Sequence, residues 1–223
     1  MKKSLWLVLS IVLVSCMAVG AVCWAAAERG EADRLPPPRT SGNVSLEEAI
    51  AQRRSVRSFA DTPVSREQVG QLCWSGQGIT DGQHGFRAAP SAGALYPVEL
   101  YVVTPDGVGR YEPATHSLEH HMAGDVRAAL RQAAFDQAAV GEAPLVFAIA
   151  VVFERTARKY GERAERYCML EAGHVAQNIL LQATALKLAG VPVGGYDDAR
   201  VASVLRLPDN QRVLYLLPLG HPK

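Results

Sequence analysis

The stretch from Glu162 to Leu188 constrains this chain most, because Tyr167, Leu170, His174, Gln177, Ile179, Leu181, Ala185 and Leu188 mix there with many small residues. Read as a helix it spans about seven turns and is apolar nearly all round. Such a helix must be buried, within the domain or at a subunit interface, and the rest of the chain has to cover it. Pro144 to Phe153 is an almost unbroken apolar run, the pattern of a central strand covered on both faces. Val98 to Thr104 is rich in β-branched and aromatic residues. With the turn Pro105-Asp106-Gly107 and the segment Val108 to Tyr111 it predicts a hairpin, and Val213 to Leu219 predicts a closing strand. Two capping boxes, Ser45-Leu46-Glu47-Glu48 and Ser65-Arg66-Glu67-Gln68, predict helices to about Gln52 and into the glycines at Gly76 and Gly78. The second helix carries Val69, Leu72 and Cys73 on one face. Gly190 to Gly195 breaks the long helix, and Asp197 to Arg206 predicts a short one. This order of strands and helices predicts an α+β layer fold.

The 223 residues accommodate one domain and a short leader. Lys2 and Lys3 precede an apolar run from Leu5 to Val14, a targeting pattern rather than part of the domain. Three fates are open to residues 1–27. Leu13-Val14-Ser15-Cys16 resembles a lipobox that would lipidate Cys16, Ala25-Ala26-Ala27 suits a signal peptidase, and an uncut Leu5–Trp24 is about long enough to span a bilayer. Each puts the domain outside the cytoplasm, periplasmic or membrane-anchored. Residues 28–44, with Pro36-Pro37-Pro38, read as a stiff, extended linker, and 45–223 as the domain. Beyond the leader there are 21 basic against 22 acidic residues, a balance that gives no footprint for nucleic acid. Cys73 and Cys168 could pair, but two buried thiols are the plainer reading, and neither has metal-ligand spacing.

Three segments could carry chemistry. Arg53-Arg54-Ser55-Val56-Arg57 places three guanidinium forks and a hydroxyl within five residues, groups suited to phosphate oxygens. Alone it also reads as a solvated charged face. Phe86 to Pro97 contains Ala89-Pro90-Ser91-Ala92-Gly93-Ala94, whose small side chains would let backbone approach a flat ligand. Val191-Pro192-Val193-Gly194-Gly195 could offer bare backbone N–H groups, or merely connect a helix to a strand. Glu171-x-x-His174 has a di-iron spacing without a second copy, so His174 reads as packed or interfacial, and no metal is expected. His116, His120 and His121 could bind a metal but read better as a solvated loop.

In this order and at these separations, the three segments resemble the nitroreductase superfamily, and more closely its branch of thiazole- and oxazole-forming dehydrogenases, over about Leu46 to Pro222. The resemblance implies a nitroreductase-like fold, with a mostly antiparallel sheet flanked by helices in a homodimer, and FMN as cofactor. It assigns the FMN phosphate and ribityl chain to Arg53, Arg54, Ser55 and Arg57. It lays Pro90, Ser91 and Gly93 over the flavin ring, often from the partner subunit, and sets Gly194 and Gly195 beside flavin N5 and O4. It matches Lys159 and Tyr160 to a proton-removing pair, for which a helix-end lysine beside a packed tyrosine is the alternative. NADH or NADPH is the expected donor, and the acceptor a small organic molecule or a peptide. Ala94 stands where many relatives carry Asn, so one side-chain bond to the ring is expected to be missing. The chemistry in such proteins belongs to the cofactor.

Two other readings compete. A serine hydrolase would use Ser91 in a near-match to G-x-S-x-G, but no buried strand precedes it and Pro97 soon follows. A non-catalytic lipoprotein could keep the fold and carry a flavin without turnover.

Overall fold

The computed structural model describes residues 33–223. The leader, with its candidate lipidation at Cys16, lies outside the described residues. A seven-stranded sheet forms the centre: β1 (Asp33–Arg34), β4 (Val98–Thr104), β5 (Gly107–Glu112), β6 (Ser117–Ala123), β7 (Leu145–Val151), β8 (Ala189–Gly190) and β9 (Arg212–Gly220). Their order is β1-β6-β5-β4-β7-β9-β8, every neighbouring pair antiparallel. A separate two-stranded ribbon joins β2 (Ile79–Asp81) to β3 (Phe86–Arg87). The helices are α1 (Leu46–Gln52), α2 (Arg66–Gln77), α3 (Arg127–Ala133), α4 (Ala138–Glu142), α5 (Phe153–Tyr160), α6 (Ala164–Ala185) and α7 (Asp198–Val204).

The apolar run expected to be a central strand is β7, and all seven of its residues are fully buried. Because side chains alternate across a strand, β7 divides the core. Leu145, Phe147, Ile149 and Val151 join Val98, Leu100 and Val102 of β4 in packing on α2 and α6. Val146, Ala148 and Ala150 meet α3, α4 and α7 through Leu130, Ala133, Val140 and Val201. The sheet is thus sandwiched between two helical layers.

Both capping boxes form: Ser45 accepts from the Glu48 N–H while Glu48 accepts from the Ser45 N–H, and Ser65 does the same with Gln68. The long helix is α6, shorter than expected because the chain turns left-handed at Lys187 (φ +60°) and Leu188 N–H closes back on Ala183 O. It is not buried all round. Cys168, Ala172, Val175, Ile179 and Ala183 face the core, whereas Met169 and Leu170 are about half exposed in the single chain. His174 is exposed and Glu171 buried, so the two point apart rather than forming a ligand pair.

The histidine segment is not a solvated loop. It lies in and beside β6, whose pairing with β5 and β1 could not be read from so polar a run. His116 joins the Tyr111 hydroxyl (2.8 Å) to Pro36 O (2.9 Å), and His121 Nε2 meets Leu205 O (2.7 Å). From Asp33 onward, the described part of the segment expected to be a linker is docked on the domain: Leu35 is buried and donates to His116 O, Arg39 exchanges bonds with Gln71, and Asp33 pairs with Arg66. Cys73 and Cys168 are free, fully buried thiols, and burial pushes both thiols up.

Candidate functional site

Helix α1 ends at Arg53, its C-cap, where the backbone turns extended (φ −56°, ψ 125°). The chain then runs beside the short edge strand β8. Ser55 forms a parallel bridge with Gly190, and Val56 N–H donates to Gly190 O at 3.1 Å. Val56 leans on the core while Arg54, Ser55 and Arg57 stay exposed, an alternation that follows from extended backbone. Arg54 folds back, its Nη1 donating to Ala51 O and Arg53 O, so its guanidinium caps the last carbonyls of α1. Arg53 and Arg57 have no ion-pair partner among the described residues. Further along, Phe59 bridges Pro222, Ala60 N–H donates to His221 O, and Lys223 N–H reaches Ser58 O. This brings Lys223, a cation that sequence spacing could not associate with Arg57, to the same strip of surface.

The glycine segment meets this strip through the sheet. Val191 N–H donates to Pro218 O, and Val193 exchanges both backbone bonds with Leu216. The chain then leaves the sheet at Gly194 and Gly195, both exposed. A side chain at Gly195 would meet nothing within 4 Å, and one at Gly194 only the Tyr215 ring at 3.9 Å. Their backbone therefore borders open space, anchored from behind by Gln137 Nε2 on Gly195 O (2.7 Å). Gly190 is different, since a Cβ there would lie 2.5 Å from Leu219 Cδ2 and 2.7 Å from Pro218 O. Gly190→Ala is expected to cost about 1–3 kcal/mol, because the sheet backbone cannot yield. The same change displaces the carbonyl that holds Val56. Denaturant unfolding checks it, and an unchanged midpoint would count against the close fit.

A second group of residues assembles around the loop from Pro90 to Pro97. Three of its residues are left-handed, Gly93 (φ +64°), Ala94 (+54°) and Tyr96 (+46°), two of them at a cost that only glycine escapes. Ser91 stabilises this shape, its carbonyl accepting from Ala94 N–H (3.1 Å) and its Oγ from Tyr96 N–H (2.9 Å). Arg155 Nη1 donates to Tyr96 O, Tyr96 Oη accepts from Arg87 N–H, and the Arg87 guanidinium stacks 4.6 Å from the Tyr96 ring centre. At Gly93 the loop presses on the end of α5, where a Cβ would stand 2.9 Å from both Lys159 Nζ and Tyr160 Oη. Tyr160 packs edge-on against Tyr167, with Lys159 5.5 Å from its ring centre. The fold therefore joins two segments, Pro90–Gly93 and Lys159–Tyr160, that lie far apart in sequence.

Beneath the loop lies a polar interior that no motif announced. A cavity of about 150 Å³ is lined by Gln77, Arg87, Glu99, Arg110, Tyr111 and Arg155 among others. Glu99 is buried and pairs with Arg110 (3.1 Å) and Arg155. Gln77 accepts from Arg87 Nη1 (2.8 Å) and is fully buried, its Nε2 without a partner among the described residues. Glu171, only 3% exposed, likewise leaves Oε1 without a partner. Burial pushes its carboxyl up to about 7, against the opposing pull of the Ser91 hydroxyl and the Arg87 guanidinium. Burial lowers Arg87 in turn. Ser91 is thus engaged by the backbone of its own loop, accepting from Ala94 N–H and Tyr96 N–H, rather than presented as a nucleophile on a strand-to-helix elbow, which removes the structural basis of the hydrolase reading. Among the described residues no three His, Cys, Asp or Glu side chains gather as a metal site.

The sequence matches the Nitroreductase family over residues 50–221. The protein MJ1384 of Methanocaldococcus jannaschii, provisionally named a nitroreductase, is 38% identical over 183 residues, 79% of this chain and 91% of that one. The Microcin B17-processing protein McbC of Escherichia coli is 27% identical over 132 residues, 54% of this chain and 48% of that one. The fold superposes on the NADPH:FMN oxidoreductase of Vibrio harveyi complexed with NAD+ with a TM-score of 0.61 at 27% identity, covering 80% of this chain and 69% of that one. A family match over residues 50–221, together with a relative 38% identical across 79% of this chain, makes this chain an oxidoreductase of the nitroreductase family, near the branch that contains McbC.

Proposed function

We propose that the chain is an FMN enzyme that exchanges hydride in two steps, one substrate reducing the flavin and a second oxidising it. The observation that carries this reading is the direct bond from Val56 to Gly190, which ties the arginine segment to the start of the glycine segment, while Arg53 and Arg57 have no ion-pair partner among the described residues and Gly194 and Gly195 border open space. Arg53 and Arg57, with Ser55, suit the phosphate and ribityl oxygens; Arg54 would have to leave its helix carbonyls to join them. Gly194 and Gly195 have room to set backbone N–H groups against a flat ring. FMN, when bound, supplies the hydride chemistry. NADH or NADPH is the proposed donor, supported by the Vibrio relative, and the acceptor is a small organic molecule or a peptide, the latter supported by McbC.

Among the described residues no bond links the arginine–glycine surface to the Pro90–Gly93 loop within one chain. A homodimer would unite them, with the half-exposed Leu46 and Ile50 of α1 and Met169 and Leu170 of α6 supplying an apolar face. Pro90, Ser91 and Gly93 would then cover the ring and exclude water, while Lys159 and Tyr160 stand ready to take a proton from substrate. We further propose that residues 1–27 direct export; intact-mass measurement of the mature chain separates cleavage, lipidation at Cys16 and retention.

The test is the spectrum of the purified full-length protein, expected to be yellow and to be a dimer by sedimentation. Arg53→Glu and Arg57→Glu should each weaken FMN binding at least about tenfold, since a charge-assisted hydrogen bond to phosphate contributes about 1.5–3 kcal/mol. Flavin titration that finds wild-type affinity in both variants sinks the phosphate assignment. Lys159→Ala and Tyr160→Phe should keep the flavin and lower turnover by about 10²-fold or more, the scale of a lost proton-transfer group. Unchanged turnover in both would leave them as a helix-end lysine and its packed tyrosine. A flavin that no pyridine nucleotide reduces would favour the binding-protein reading.

A further inference from the structure

We propose that Glu171 is a positioning residue, acting through Ser91 to hold the Pro90–Pro97 loop in the left-handed shape that seats Gly93 against Lys159 and Tyr160. The loop's bonds do not account for that shape by themselves. Gly93, Ala94 and Tyr96 all sit at positive φ, and the bond fixing the return of the chain, from Tyr96 N–H, ends on Ser91 Oγ. That bond occupies the serine oxygen as an acceptor and leaves its O–H to donate. The carboxyl facing it is Glu171, on the buried side of α6, with one oxygen that has no partner among the described residues. The Ser91 hydroxyl draws the Glu171 carboxyl down against the effect of burial, and a buried acceptor left unmade is costly.

Helix α6 is a suitable anchor. Two turns further along, Asn178 Nδ2 reaches Ala88 O (3.4 Å), so two polar side chains seven residues apart hold the approach to the loop and the loop itself. The other groups facing the Glu171 carboxyl are the Arg87 guanidinium from β3 and Cys168 one turn back on α6. Arg87 is itself fastened to Tyr96 and Gln77, so the carboxylate, the guanidinium and the loop form one connected set. Removing the carboxyl should therefore release the loop as effectively as removing the hydroxyl.

The consequence for flavin binding rests on the functional reading above, but the Glu171–Ser91 coupling does not. The experiment is amide exchange of the peptide covering residues 90–97 in the full-length protein, with FMN titrated in parallel. Glu171→Met and Glu171→Gln fill the same volume, but only glutamine keeps an oxygen for the Ser91 hydroxyl. Exchange of the loop is expected to rise about tenfold in Glu171→Met and in Ser91→Ala, to rise no further in the double variant, and to stay near wild type in Glu171→Gln. Additive single effects, or equal effects of Met and Gln, would overturn the proposal and assign Glu171 to packing alone. The coupled pattern without any flavin binding would uphold the positioning role and overturn the flavin reading instead.

Discussion

Replacing Glu99 by alanine is expected to destabilise the fold by about 3 kcal/mol, the larger of the losses tied to the polar interior. The Glu99 side chain is only 8% exposed and has a guanidinium on each oxygen, Arg110 on one and Arg155 on the other. Removing it leaves those cations unequally provided for. Arg110 keeps Glu119 and Glu112, whereas among the described residues the Arg155 guanidinium keeps only the Tyr96 carbonyl. Breaking a buried pair from one side costs more than the pair contributed, because a charge is left in low dielectric. The site should feel this as well, since Arg155 spans the gap between the start of β4 and the Tyr96 turn. Urea unfolding at neutral pH, paired with exchange of the 90–97 peptide, measures both effects, and Glu99→Gln should lose less because one acceptor oxygen survives. A loss below about 1 kcal/mol in Glu99→Ala would mean that water replaces the carboxylate without difficulty.

The second large effect depends on pH and has the opposite sign. Burial holds the Glu171 carboxyl at about 7, against its ordinary 4.5. The folded chain therefore binds this proton more tightly than the unfolded one. On this account the stabilisation is complete below about pH 4.5, falls as pH rises toward 7, and is gone above it. That span corresponds to roughly 3 kcal/mol. Glu171→Gln, neutral at every pH, should remove this slope. It should melt roughly 5–10 °C above wild type at pH 8 and lose that advantage near pH 4.5. Scanning calorimetry of the two proteins side by side isolates the residue, because the remaining carboxylates titrate in both. Parallel curves across the window would show that the buried carboxyl is better solvated than its position in α6 implies. The same substitution leaves the loop in place in the exchange experiment, so a stabilised protein with an ordered loop is the joint expectation.

Much of the architecture was legible in the residues because it follows from local periodicity and local hydrogen bonding. The apolar run at β7, the hairpin around Asp106, the two capping boxes and the presence of the long helix α6 are all set by neighbours within a few positions. What failed depends on contacts between segments far apart in sequence. Ser117 to Ala123 carries too many polar groups to read as a strand, and only its ladder with β5 makes it one. The docking of Leu35 and Arg39 depends on His116 and Gln71, which a composition rich in proline does not reveal.

For the site, the sequence by itself determined which chemical groups were available: guanidinium forks at Arg53 to Arg57, bare backbone at Gly194 and Gly195, a loop of small residues at Pro90 to Gly93, and the Lys159–Tyr160 pair. Only the tertiary structure decided their company. It bonds Val56 to Gly190, turns Arg54 back onto its own helix, presses Gly93 onto Lys159 and Tyr160, and brings Lys223 to Ser58. It also buries Glu171, Glu99 and Gln77, which in sequence look like ordinary surface residues. The physical reason is that a side chain's type is fixed along the chain, whereas its solvation and its partners depend on contacts between segments tens of residues apart, and these exist only once the sheet has paired and α6 has packed against it.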